Sequence, residues 1–191
     1  LFKLPCVANA SCQAHEVLQA VQNGKDNVVH LSAISLYKRI GSSAQSGAMV
    51  SDGWAELNRR GALPLDTPEN RAKYGASVMP NTGFNRKMPA SWEDTAILFS
   101  GFEATIIRSF QGLKSALAIP DGPVVVGRQG HSICYVGMVK SGGTWKAPYP
   151  NSWSENWGAA YGYMPGGFGF DTIRQIQMSS QYAWKLRAIR A

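Results

Sequence analysis

Cysteine is scarce in this chain, and so is histidine. Three cysteines (Cys6, Cys12, Cys134) and three histidines (His15, His30, His131) are spread over 191 residues. An odd, widely spaced set of thiols is not a disulfide framework. It suits a reducing compartment, or a chain in which one thiol reacts. Long apolar runs are also missing, and no stretch approaches the ~18 residues of a membrane-spanning helix. The basic, apolar and small-residue segments of a signal peptide are absent as well. Acidic residues are few, 12 against 19 Lys and Arg, for a net charge of +7. Such an excess raises the question of nucleic acid. The basic residues are scattered, however, and the densest group is Lys185, Arg187 and Arg190. With no zinc-finger spacing, RNA-binding signature or basic helix, the charge is read as a solvated surface. Neither nucleic acid nor membrane is expected as a partner.

The residues that are present divide the chain in two. Val7, Ala10, Ala14, Val17, Leu18 and Val21 follow the 3–4 spacing of an amphipathic helix over residues 6–22. Asn23-Gly24 stops it. Ser32 caps a second helix that ends at Gly41, and a third runs from about Ala48 to Arg60, with Gly61 after it. Residues 64–90 carry Pro64, Pro68, Pro80 and Pro89 and read mostly as crossing loops. From about residue 101, strand-like runs appear in FEATIIRSF, PVVVG, HSICYVGMV and YAWKLRAI, with a short helix at LKSALA. The expectation is one α+β domain: a helical lobe over about 1–63, a mainly β lobe over about 64–191, and a site in the cleft between them.

Three residues stand where chemistry is easiest to build. Cys6 opens the first helix, where the dipole and unpaired N–H groups favour a thiolate. His131 opens an apolar strand after Gly130. Asn151 follows Pro150 at the end of another expected strand, inside NSWSENWG, where Trp153 and Trp157 crowd aromatic surface around it. Each has an ordinary structural explanation by itself. The other candidates carry less. Cys12 and His15 lie three residues apart on one helix, but no third metal ligand is evident, so neither metal nor cofactor is expected. His30 belongs to the turn before the second helix. Cys134 and Tyr135 read as packing residues. GGFGF at 166–170 is a glycine-rich turn, too short and misplaced for a phosphate loop.

Taken together, a helix-start Cys, a His about 125 residues on and an Asn about 145 on follow the spacing of papain-type proteases. The chain resembles the papain-like cysteine peptidases along nearly its whole length. CVANA resembles the run around the family's nucleophile, and LSAISLY the start of its second helix. SGAMVSDGWAELNRRGALP resembles the glycine-bearing segment and third helix. GHSICYVG resembles the strand of the catalytic His, and NSWSENWG the NSWG-x-x-WG motif. The resemblance implies a two-lobe α+β fold and peptide or protein substrates. It implies a Cys6–His131–Asn151 triad acting through a thioester acyl-enzyme. It also implies Trp153 and Trp157 as shields of that triad, and Gly47 and Ala48 as contacts for the substrate backbone.

The departures sharpen these expectations. Val7 stands where the family has Trp, Ala48 where it has Gly, and Ser154 where it has the Gly of NSWG. The disulfide cysteines of secreted members are missing. This pattern resembles bacterial or phage members, with a cytoplasmic or virion-associated setting. The chain opens on Leu1 rather than Met, which reads as a processed or trimmed product. The family's oxyanion Gln would fall just before Leu1. The expectation is slow turnover unless an upstream fragment supplies that donor, whose loss costs about 10²–10³ in rate. Two other functions fit the same residues: a catalytically weak papain-like module that binds other virion proteins in a phage particle, or a cell-wall peptidase or amidase.

Overall fold

The computed structural model describes residues 5–41, 43–119, 121–128, 130–152, 156–157 and 166–189. Helix α1 (Cys6–Asn23) buries Val7, Ala10, Ala14 and Leu18 of the anticipated stripe, while Val17 is half-buried and Val21, near the helix end, is exposed. Gly24, at φ 85°, ends it and returns its N–H to the Ala20 carbonyl at 3.1 Å. In α2 (Ala33–Ile40) the Ser32 hydroxyl accepts from Ser35 N–H, a side-chain cap on an otherwise unpaired donor. Helix α3 (Val50–Arg60) closes at Gly61, whose N–H bonds Leu57 O at 2.8 Å. Its buried Glu56 accepts from Arg39 Nε at 2.9 Å and so ties α3 to α2.

The proline-bearing stretch is more helical than its composition suggests. Thr67 caps α4 (Pro68–Tyr74) by accepting from Asn70 N–H. Pro68 occupies the first turn, where a missing N–H costs nothing. Next come α5 (Trp92–Ala96) and a 3-10 turn over Ile97–Phe99. Both belong with the helical layer, because Leu63, Met79 and Ala96 share a small core with Ile34 of α2.

The later part of the chain is built of antiparallel strands. Strand β1 (Phe102–Ile107) is followed by α6 (Phe110–Ala118), then by the hairpin of β2 (Val124–Arg128) and β3 (His131–Tyr135). After these come β4 (Val139–Ser141), β5 (Thr144–Pro150), β6 (Phe168–Thr172), α7 (Ile173–Ser179) and β7 (Ser180–Ile189). The first sheet has the order β1-β7-β2-β3, so the last strand enters between two early ones. The second has the order β4-β5-β6 and meets the first where Val136 N–H donates to Pro148 O at 3.1 Å.

Helix α1 packs against α2 and α3 on one side and against β2, β3 and β7 on another. The core around it joins Leu18, Leu36 and Leu57 to Phe102, Val125 and Trp184. A second core fills the β part with Leu113, Leu117, Val126, Ile133, Tyr149 and Ile176. Each fully buried side chain of this size stabilises the fold by about 1.5–3 kcal/mol. The architecture is α+β, a helical lobe against an antiparallel β lobe.

Candidate active site

Cys6 is the first residue of α1. Pro5 precedes it and offers no N–H, but its carbonyl accepts from Asn9 N–H at 2.9 Å and from Asn9 Nδ2 at 3.1 Å. The Cys6 thiol is half-buried and outside any disulfide. Cys12 and Cys134 are also reduced, but both lie in the core, where burial pushes their thiols far up from the ordinary value.

His131 is the first residue of β3 and stands opposite Arg128 of β2 in the hairpin register. Asn151 leaves the end of β5, and its backbone N–H donates to Gly167 O at 2.9 Å. The Asn151 side chain stands beside the His131 imidazole and acts to raise its proton affinity. His131 Nε2 and Asn151 Oδ1 are both shut off from solvent. Desolvation first, and the Arg128 charge second, hold the imidazole below its ordinary pKa, while Asn151 acts in the opposite sense. The structure thus brings His131 and Asn151 together.

Gly47 and Ala48 lie in the loop between α2 and α3. Gly47 is exposed, and a Cβ placed there would meet nothing within 4 Å. Ala48 packs half-buried against the helical core. The loop is held from below by the Tyr37 hydroxyl, which reaches Ser43 O at 2.9 Å and also Ser46 O. Trp157 lies half-buried on Tyr149, with centroids 6.1 Å apart. Trp153 is outside the described residues. Cys12 and His15, the metal candidates, are core residues, and His15 Nδ1 faces Gln19 Nε2 at 3.1 Å. Among the described residues, no three His, Cys, Asp or Glu side chains gather as metal ligands.

A charged cluster that residue spacing does not anticipate lies behind His131. The Arg128 guanidinium forms an ion pair with Asp171 of β6, with both side chains largely buried at 17% and 8% exposure. The Tyr135 hydroxyl donates to Asp171 Oδ2 at 2.5 Å and accepts from Arg128 Nη2 at 2.5 Å. Arg128 also lies over the rings of Tyr135 and Tyr149, 5.7 and 5.3 Å from their centroids. Tyr135, read as a packing residue, is fully buried in the second core and in addition makes hydrogen bonds through its hydroxyl. Removing one partner of a buried ion pair costs about 3–5 kcal/mol. A signal was available in FGFDT, where one carboxylate interrupts an aromatic strand.

Solved structures matching this architecture are cysteine proteases. The proform of the Amb a 11 cysteine protease, a major ragweed pollen allergen, superposes with a TM-score of 0.67 at 17% identity. The chain has the papain-like fold. That match covers 96% of this chain and 58% of the ragweed protein. Digestive procathepsin L2 proteinase from the larval midgut of Tenebrio molitor gives a TM-score of 0.68 at 13% identity, over 96% of this chain and 61% of that one. Bromelain protease from Ananas comosus, in complex with the E64 inhibitor, gives 0.62 at 12% identity, over 97% of this chain and 89% of that one. The chain thus spans about three fifths of the two proforms' length. No protein-family model matches the sequence, and no curated protein matches it.

Proposed function

We propose that this papain-like chain is a cysteine peptidase that cleaves peptide bonds through Cys6, His131 and Asn151. The observation that carries the reading is that His131 and Asn151 stand together, with His131 Nε2 and Asn151 Oδ1 shielded from water, on a β lobe packed against the helix that Cys6 opens. Cys12, six residues after Cys6 on α1, and Cys134, three residues after His131 on β3, lie in one core.

In this mechanism the Cys6 thiolate attacks the substrate carbonyl carbon. The carbonyl oxygen becomes an oxyanion that accepts from Cys6 N–H. The imidazolium of His131 gives its proton to the leaving amine as the C–N bond breaks, which leaves a thioester on Sγ. Neutral His131 then takes a proton from water, which attacks the thioester and releases the acid, leaving the Cys6 thiolate beside the imidazolium. Asn151 Oδ1 accepts from the second His131 nitrogen and keeps the ring in plane. Gly47 offers an uncrowded backbone to an extended substrate. The bacterial or phage setting, with virion partners, is a further proposal that rests on the sequence departures.

The test is turnover of fluorogenic dipeptides, with and without E64, the inhibitor in the bromelain complex, set against loss of turbidity from cell walls. Dipeptide turnover that E64 stops and Cys6→Ser abolishes is expected. Clearing of cell walls without dipeptide cleavage would replace this reading with the cell-wall one. Peptide binding without turnover would leave a catalytically weak module.

A further inference from the structure

The buried ion pair behind His131 is an unusual thing to build into an aromatic wall. Arg128 is the register partner of His131, so the two Cα atoms face each other across the β2–β3 hairpin. Its guanidinium turns toward the second sheet, over Tyr149, which is two residues before Asn151, and onto Asp171. Asp171 pairs with Ala147 of β5, and Tyr149 pairs with Gly169 of β6. At Gly169 a Cβ would stand 2.7 Å from Tyr149 Cζ and 2.8 Å from Trp157 Cη2, so the bare backbone there lets both rings close over β6. Tyr135, four residues after His131 on β3, bridges the ion pair through its hydroxyl. One cluster thus joins β2, β3, β5 and β6, among them the strands that carry His131 and Asn151. Among the described residues, Asp171 is the one carboxylate paired with Arg128.

We propose that Arg128 and Asp171 are positioning residues for the His131–Asn151 pair. Arg128 ties the hairpin of His131 to the strand of Asn151, and Asp171 compensates a cation that would otherwise stand uncompensated beside the imidazole. The proposal uses the peptidase reading only in naming His131 as the proton donor. Among the described residues, Arg128 from β2 and Asn151 beyond β5 act on the imidazole, Asp171 acts through Arg128, and in that reading Cys6 from α1 joins them. Losing Asp171 exposes His131 to the full guanidinium charge. Losing Arg128 frees it from that charge. An inert structural pair would do neither.

The test is the imidazole titration of His131, followed by proton–nitrogen NMR on the 191-residue chain without substrate. Wild type is compared with Asp171→Asn, Arg128→Met and the double variant Arg128→Met/Asp171→Leu, which removes both charges and keeps apolar bulk. Asp171→Asn is expected to weaken the proton affinity of His131 by roughly 3–10-fold, at or below the low end of the effect of a charge ~4–6 Å away. Arg128→Met is expected to strengthen it, and the double variant to resemble Arg128→Met. If Asp171→Asn does not fold, the other two variants carry the comparison. Titration of His131 unchanged from wild type in the variants that fold would overturn the proposal. Shifted titration in a chain that turns over no peptide would sink the peptidase reading and leave this one standing.

Discussion

Cys6 and Cys12 share a helix but not an environment. Burial pushes the Cys12 thiol up, and Cys134 likewise, so both stay protonated and inert near neutral pH. Cys6 is half-buried at the helix start. Limiting iodoacetamide followed by peptide mapping is expected to modify Cys6 first, and faster labelling of Cys12 or Cys134 would contradict the assignment. Asn151→Ala removes the side-chain partner of His131 and leaves the backbone bond to Gly167 in place. Turnover is expected to fall by about 10²-fold, the scale of a misplaced catalytic group, at an unchanged melting temperature. A large drop in melting temperature would recast Asn151 as structural. At this scale residue type and spacing singled out Cys6, His131 and Asn151, and the structure places Cys6 at the start of α1 and His131 at the start of β3. The sequence was not legible for Arg128 and Asp171. A lone charge at the edge of an apolar run reads as a strand end facing water until its partner is known.

Elements were legible where local bonding decides them. The stops at Gly24 and Gly61 and the cap at Ser32 stand where turn and cap chemistry places them. Helix α4 was hidden because Pro68 was counted as a breaker although it sits in the first turn. Gly61 tests the element scale. Its φ of 71° disfavours a side chain, and a Cβ would stand 1.7 Å from Ala96 O. The backbone of α5 must therefore move away, and Gly61→Ala is expected to cost about 1–3 kcal/mol or more, as overpacking does. Denaturant midpoints of the two proteins measure it, and equal midpoints would mean that the α3–α5 contact is slack. The exposed Gly75, at φ 61° with nothing within 4 Å, serves as a control for backbone strain alone.

His15 belongs to the scale of the whole molecule, because its ring meets Phe99 at the end of the helical layer and Phe102 at the start of β1. Burial lowers its pKa to about 4. A depressed histidine means that the unfolded chain binds the proton more readily, so this part of the stability is complete above about pH 6.5 and is lost as pH falls toward 4. The loss is on the order of 3 kcal/mol. His30, raised by Glu16, works in the opposite direction, its contribution fading as pH rises. Comparing wild type with His15→Leu cancels the His30 effect. Denaturant titrations at pH 7 and pH 4 should show a smaller acid loss in the variant, and an equal loss in both would exclude His15 as the cause.

By itself the sequence determined the apolar stripe at the start of α1, the helix stops and the apolar strands. These depend on bonds and side-chain spacing within a few residues of chain. Tertiary structure alone decided that the last strand enters between β1 and β2, and that β6 lies beside β5. It also brought Asp171 to the Tyr135 hydroxyl, 36 residues away along the chain. Pairing at that distance follows from which strands exclude water together, a property of the assembled sheets that no local window of sequence contains.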